Sequence, residues 1–123
     1  MQAQEVKGKS QVGPVAITDK NYDAEVAKSK LPVLLFFTAY YSGPAKAAKP
    51  IIAELATEYA GKLKVGQAEY GDCPDTVTKL KIEAVPMFIF IKDGRVLETI
   101  QGMPAEGKEK FRAVLSKSLG VEK

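Results

Sequence analysis

The chain has 123 residues, 46% hydrophobic and 27% charged, which is the size and composition of one ordinary globular domain. Its formal net charge is +3 and its lysines are spread along the whole length, so neither a nucleic-acid-binding face nor a nucleic-acid partner is expected. One cysteine, Cys73, and no histidine exclude an internal disulfide, a Cys/His zinc site and any catalysis that needs an imidazole base. No metal or other cofactor is expected.

The start of the chain is polar. We predict a flexible N-terminal segment over residues 1–11 and a single domain over residues 12–123. No apolar run approaches the ~20 residues of a membrane-spanning helix, so no membrane association is expected. The first residues lack the apolar centre of a signal peptide, which favours a cytoplasmic location. The polar start of a mature exported protein would look the same.

From about residue 12, strands and helices alternate. Pro14 to Ile17 is a short apolar run that predicts a first strand, and Thr18 or Asp19 can cap the helix that follows. Val33 to Phe37 is a continuous apolar run. Such a run is typical of a strand that is buried on both faces at the centre of a sheet.

A second helix is predicted after the turn at residues 41–44. Its core face is defined by apolar residues at helical spacing, namely Ala48, Ile51, Ile52, Leu55, Ala56 and Tyr59. Leu63 to Tyr70 is a third strand candidate. Pro74 suits the first position of a short third helix, because the amide proton that proline lacks would have no partner there.

The last third of the chain predicts a hairpin and a helix. Two apolar runs, Val85 to Ile91 and Val96 to Ile100, are separated by a turn that contains Asp93-Gly94, a strong hairpin signal. A final helix carries Phe111, Val114, Leu115 and Leu119 on one face. The order β-α-β-α-β-α-β-β-α predicts an α/β domain whose mixed sheet has helices on both faces.

The segment YSGPAKAAKP resembles the active-site stretch of the thioredoxin family, in which a tryptophan precedes Cys-Gly-Pro-Cys-Lys and a proline follows. Tyr41 stands at the tryptophan position, and Ser42 and Ala45 stand at the two cysteine positions. The residues that match outright are Gly43, Pro44, Lys46 and Pro50.

The resemblance extends from about Val12 to Leu119 and implies a thioredoxin fold. Val85-Pro86 matches the family's cis-proline loop, and Gly102 matches the glycine that closes its substrate groove. The family usually has a buried aspartate beneath the cysteine pair, and Phe36 stands at that position. Once the thiols are absent, phenylalanine is the more stable occupant.

The resemblance implies disulfide exchange for the family, but this chain lacks the groups for it. Exchange needs a thiolate, whereas the hydroxyl of Ser42 stays protonated even at a helix N-terminus. Ala45 has no group that could resolve a mixed disulfide. We expect Ser42 to act as a helix N-cap, and we expect no catalytic residue to be intact.

A peptide groove is the function that the resemblance leaves open, because in the family the residue before the cis-proline offers its backbone to an extended peptide. Val85 is the matching residue. The expected groove residues are Tyr41, Gly43, Pro44, Val85, Pro86 and Gly102, with Met103 as a further candidate. The first hypothesis is thus a redox-inactive module that binds protein or peptide partners, and its alternative is a vestigial surface.

The second hypothesis is a thiol-disulfide oxidoreductase whose two cysteines were replaced by engineered mutation. Thioredoxin reductase would then be a partner of the cysteine-containing parent alone. Phe36 argues against this, because an engineered variant would normally keep its supporting carboxylate. A third hypothesis makes Cys73 a reactive thiol, either a redox sensor or a dimerising cysteine. Nearby Asp72 and Asp75 disfavour the thiolate and leave an inert thiol as the alternative.

Overall fold

The computed structural model describes residues 13–123, so the predicted flexible segment 1–11 lies outside the described residues. One five-stranded sheet has the order β1-β3-β2-β4-β5. The strands are β1 (Val15–Ile17), β2 (Val33–Thr38), β3 (Lys64–Glu69), β4 (Met87–Lys92) and β5 (Arg95–Gln101). β3 pairs in parallel with β1 and β2, while β4 runs antiparallel to β2 and β5.

Within residues 13–123, four helices and one short 3₁₀ turn accompany this sheet, and they confirm the predicted α/β architecture and element order. The helices are α1 (Asp23–Ala27), α2 (Gly43–Glu58), α3 (Pro74–Leu80) and α4 (Lys108–Leu119). α1 is a single π-helical turn, and a short 3₁₀ turn precedes α3. No helix in the described part of the chain is long and apolar enough to cross a membrane.

β2 occupies the middle of the sheet, and all six of its residues are buried, as the continuous apolar run predicts. Leu34 and Phe36 belong to the apolar cluster that includes the inner faces of α2 and α4. Leu35 and Phe37 point to the other face and join the cluster beside α1 and α3. The alternation follows from the two-residue period of a strand, and burial on both faces requires every position to be apolar or compact.

Phe36 is part of an aromatic stack in the first cluster. Its ring lies parallel to that of Phe88 on β4 with centroids 5.2 Å apart, and Phe88 meets Phe111 of α4 edge-on at 4.7 Å. Pairs of this geometry are worth about 0.5–1.5 kcal/mol beyond their burial. The side chain that occupies the family's carboxylate position is therefore fully integrated into the core.

The prediction that Thr18 or Asp19 caps the first helix is wrong for Asp19, whereas Thr18 Oγ1 accepts from the Lys20 N–H at 3.2 Å in the turn that leads into α1. α1 begins after Tyr22 with no side-chain cap. The Asp19 carboxylate instead accepts hydrogen bonds from the backbone N–H groups of Asp75 and Thr76 at the start of α3, at 3.0 and 2.8 Å. Burial acts to raise the pKa of Asp19, but these hydrogen bonds lower it below its ordinary value. The Asp19 carboxylate therefore caps the start of α3, which is distant in sequence, and does not cap α1.

The predicted hairpin is confirmed, with one shift in its first strand. Asp93 and Gly94 both have positive φ, 53° and 77°, which is the backbone that a two-residue hairpin turn requires. β4 begins at Met87, so Val85 and Pro86 precede the strand. Proline has no N–H to donate to a ladder, which places the strand start after it.

An ion-pair network joins α2 to α4. Glu58 near the end of α2 accepts hydrogen bonds from Lys108 Nζ at 2.9 Å and from Arg112 at 2.8 and 3.0 Å. Lys108 also binds Glu54, and Arg112 also binds Glu109. Hydrogen bonds from Lys108 and then from Arg112 lower the pKa of Glu58 from 4.5 to about 2.

This pKa shift makes a prediction about acid stability. Because the folded pKa lies below the unfolded one, Glu58 stabilises the fold fully above pH 4.5, and this contribution is lost as the pH falls from 4.5 towards about 2. Urea denaturation across this window should show a steeper loss of stability for the chain than for Glu58→Gln, which cannot titrate. Parallel pH profiles for the two proteins would contradict the prediction.

Candidate functional site

Strand register brings the predicted groove residues to one edge of the sheet. Met87 at the start of β4 pairs with Phe37 near the end of β2 and with Gln101 at the end of β5. One residue beyond this row, Pro86 and Gly102 therefore lie beside the end of β2. The turn that leads into α2 starts at the same edge.

Pro86 and Gly102 are joined directly. The Gly102 N–H donates to the Pro86 carbonyl at 2.8 Å, and Gly102 has φ 79°, a conformation that favours glycine. The Val85–Pro86 peptide bond is cis. Val85 is half-buried, and among residues 13–123 it forms no backbone hydrogen bond. Its N–H and C=O thus stay available at the edge of the site.

Ser42 is the N-cap of α2. Its backbone is extended, with φ −98° and ψ 111°, and its Oγ accepts a hydrogen bond from the Ala45 N–H at 3.1 Å. Such a cap satisfies one of the amide donors that a helix start leaves without a partner. Ala45 is fully buried and presents only a methyl group to the core. The two positions therefore have a structural role and carry no ionisable group.

The turn around the cap is strongly exposed. Tyr40 and Tyr41 are 69% and 78% exposed, and Gly43 and Pro44 on the first turn of α2 are exposed as well. The Ser42 N–H donates to the Ala39 carbonyl at 3.0 Å, which fixes the turn that carries both tyrosines. An exposed aromatic pair beside a free backbone edge is a surface suited to a peptide.

A contact that the residue pattern did not predict joins this turn to β3. The Tyr40 N–H donates to Glu69 Oε2 at 2.9 Å, and the Tyr40 hydroxyl lies 3.4 Å from Asp72 Oδ2. The charges of Asp72 and then of Glu69 raise the pKa of the Tyr40 phenol. The contact follows from the parallel pairing of β2 with β3, in which Thr38 pairs with Glu69 where both strands end; the predicted mixed sheet did not specify that pairing.

Comparison with known proteins agrees with this geometry. The family model described as thioredoxin matches residues 13–117. The chain belongs to the thioredoxin family. It is similar to thioredoxin C-2 of Corynebacterium nephridii, with 35% identity over 105 residues that cover 85% of this chain and 95% of that protein.

Two plant relatives are similar over part of their length. The chloroplastic M-type thioredoxin of Triticum aestivum is 34% identical over 115 residues, which cover 93% of this chain and 65% of that protein. The M-type thioredoxin of Pisum sativum is 38% identical over 86 residues, which cover 70% of this chain and 50% of that protein. The chain thus spans about half to two thirds of these two plant thioredoxins.

Cys73 is the one thiol that this thioredoxin-family chain has, and its surroundings disfavour reactivity. The side chain is fully buried, and its Sγ donates to the Glu69 carbonyl at 3.2 Å. Burial, followed by the charges of Asp19, Asp72 and Glu69, raises its pKa to about 11. These contacts favour the inert thiol over the redox sensor or the dimerising cysteine, since the thiolate is the reactive form.

A wide depression of about 440 Å³ lies at the opposite end of the sheet from the predicted groove residues, next to Pro32 and the end of α4. Within residues 13–123, no three acidic or cysteine side chains are grouped so that they could hold a metal ion.

The cap at Ser42 yields a prediction about stability. Ser42→Ala should lower the free energy of unfolding by about 1 kcal/mol, because the Ala45 N–H loses its acceptor. Ser42→Asn should stay within a few tenths of a kcal/mol of the parent, since asparagine is an equally good N-cap. Chemical denaturation of the three proteins measures this, and equal stabilities for the Ala and Asn variants would contradict it.

Proposed function

We propose that this thioredoxin-family protein is redox-inactive and binds an extended segment of a partner protein in the groove formed by Tyr41, Gly43, Pro44, Val85, Pro86 and Gly102. The observation that carries the proposal is the backbone of Val85, which is free of hydrogen bonds within residues 13–123 and lies at the same sheet edge as two exposed tyrosines. The cytoplasmic location stays a prediction, since no contact in the fold bears on it.

Redox inactivity is supported by what replaces the family's thiols and their carboxylate. Ser42 uses its oxygen to cap α2, and Ala45 is buried as a core methyl. Phe36 is stacked against Phe88, so no proton-accepting group lies at its position. Cys73, with a pKa of about 11, is almost entirely protonated near neutral pH.

Peptide binding is supported by the state of the groove backbone. An extended segment can pair with a free N–H and C=O as an added strand, and main-chain hydrogen bonds then supply affinity. The bond from Gly102 to the Pro86 carbonyl holds the neighbouring loop, so Val85 is presented by a fixed backbone. A preorganised site loses less entropy on binding than a mobile one.

Met103, the further candidate, contributes differently. It is half-buried and packs against the core cluster beside α2 and α4. Its partial exposure leaves an adaptable thioether next to the other groove residues.

The second candidate is a disabled oxidoreductase, that is, a thiol-disulfide oxidoreductase whose two cysteines were replaced by engineered mutation. The geometry of the helix cap favours it. Ser42 stands at the start of a regular helix with Pro44 in the first turn, and a thiol at this position would be activated by the helix N-terminus. On this hypothesis thioredoxin reductase and protein disulfides are partners of the cysteine-containing parent alone. The Phe36 stack argues for the first candidate, because the core has adapted to the loss of the carboxylate.

A reduction assay separates the two candidates. The chain and the double variant Ser42→Cys, Ala45→Cys are compared for reduction of insulin disulfides by dithiothreitol. We expect no rate above the dithiol background for the chain, because it has no accessible thiolate. A rate above that background would contradict redox inactivity. Insulin reduction by the double variant alone would favour the disabled oxidoreductase. If both proteins are folded and neither reduces insulin above background, the result would favour the binding module.

The groove is tested with one substitution at two positions. Extended peptides that bind on an array are measured in solution by fluorescence anisotropy with the chain, with Val85→Asp and with Val96→Asp, whose site on β5 is exposed. We expect Val85→Asp to weaken binding by about tenfold, because a carboxylate in the groove loses its hydration when the peptide binds. Val96→Asp should bind as the chain does. Equal binding by Val85→Asp would contradict the groove.

A further inference from the structure

Two carboxylates lie beside the exposed tyrosines, and in the described part of the chain neither has an ion-pair partner. Together Tyr40, Tyr41, Glu69 and Asp72 form a surface that we name the tyrosine–carboxylate patch. Within residues 13–123, neither Glu69 nor Asp72 is in a salt bridge, although the chain has 18 Lys and Arg residues and a net charge of +3. A basic chain thus leaves a local negative site next to its groove.

Two hydrogen bonds from Tyr40 to the carboxylates fix the geometry of the patch. The Tyr40 N–H is bound to the Glu69 carboxylate at 2.9 Å, and its hydroxyl lies 3.4 Å from the Asp72 carboxylate. Each carboxylate has further lone pairs, since an ionised carboxylate offers about four acceptor sites. The ring face and the remaining oxygens are therefore exposed together on a fixed turn.

An aromatic face beside a carboxylate is the arrangement that binds a guanidinium or ammonium group. The cation lies over the ring quadrupole and pairs with the carboxylate, and the planar guanidinium of arginine suits both contacts best. The fold has one such contact of its own, in which Lys79 Nζ lies 4.6 Å from the centre of the Tyr22 ring. The Tyr40 hydroxyl lies by the Asp72 carboxylate and the Tyr40 backbone by that of Glu69, and within residues 13–123 no Lys or Arg lies over the Tyr40 ring.

We infer that the tyrosine–carboxylate patch selects partner segments that carry an arginine, or less tightly a lysine, beside the stretch bound in the groove. The inference rests on the proposed function, because the patch continues the groove at Tyr41. The cationic side chain lies against the Tyr40 ring and pairs with Asp72 and Glu69. The apolar residues of the segment occupy the groove, so the patch sets the charge preference and the groove sets the extended conformation.

A trapping experiment tests this with the full chain. The variant Ser42→Cys carries a thiol in the groove, and the alanine at position 45 leaves nothing to resolve a mixed disulfide. It is incubated with an equimolar pair of apolar peptides, each a mixed disulfide with glutathione. The introduced thiolate attacks the peptide sulfur, glutathione leaves as its thiol, and no net oxidation occurs. The exchange equilibrates in excess glutathione, and mass spectrometry with peptide mapping measures the adducts.

The two peptides differ in one side chain. One carries arginine and the other citrulline, a neutral side chain of nearly the same shape, placed at each neighbouring position in turn. We expect the arginine adduct to exceed the citrulline adduct about threefold to tenfold at the best position. The preference should shrink as salt is added, because exposed charges are screened.

Matched variants assign the preference to the patch. Asp72→Asn and Glu69→Gln keep an oxygen that can accept from Tyr40 but remove the charge, and each should reduce the preference towards one. Asp93→Asn makes the same change of charge in the hairpin turn at the opposite end of β4, where asparagine tolerates the positive φ of 53°. It should leave the preference intact. Circular dichroism confirms that each variant is folded.

The outcomes separate the inference from the proposed function. A preference that disappears in Asp72→Asn and Glu69→Gln but persists in Asp93→Asn supports the inference. Equal arginine and citrulline adducts, both well above those of a flexible Gly/Ser peptide with the same cysteine, would overturn the inference and leave the groove standing. Adducts no greater than those of the Gly/Ser peptide would overturn both.

Discussion

β2 is buried on both faces, and the positions of the other strands, of the helices and of the candidate site follow from it. Every residue of the strand is buried, and its two sets of side chains belong to the two separate apolar clusters of the domain. The strand also pairs with β3 on one side and with β4 on the other. Its end therefore fixes where the turn with the tyrosines, the cap of α2 and the loop before β4 come together.

The stack of Phe36 on Phe88 shows how the core has accommodated an apolar residue at the position where the family usually has a carboxylate. A carboxylate in that environment would need a partner to offset its desolvation, whereas a phenylalanine contributes about 1.5–3 kcal/mol through burial. The helix cap at Ser42 has an independent source of stability in its hydrogen bond to Ala45. The helix cap and the aromatic core are thus stable without the two cysteines and the carboxylate on which thiol exchange depends in the family. A binding role is therefore compatible with the absence of those groups.

Much of the fold was predictable because its signals are local. The apolar run of β2, the turn at Asp93-Gly94 and the core face of α4 each follow from periodicity or turn chemistry. Periodicity could not reveal that Asp19 caps α3, since that contact joins residues 56 positions apart. The link from Tyr40 to Glu69 was missed for the same reason, because it depends on the parallel pairing of β2 with β3, which the predicted mixed sheet did not specify.

Residue identity and spacing along the chain were enough for the α/β class and for the absence of a thiol pair, and they supplied the candidate groove positions as a prediction. Tertiary structure alone decided the environment of each group. The burial of Cys73 and its carboxylate neighbours give it a raised pKa, and the ends of two strands bring Glu69 to the tyrosine turn. Burial, pKa and charge complementarity depend on which distant residues become neighbours, and only the packed chain specifies them.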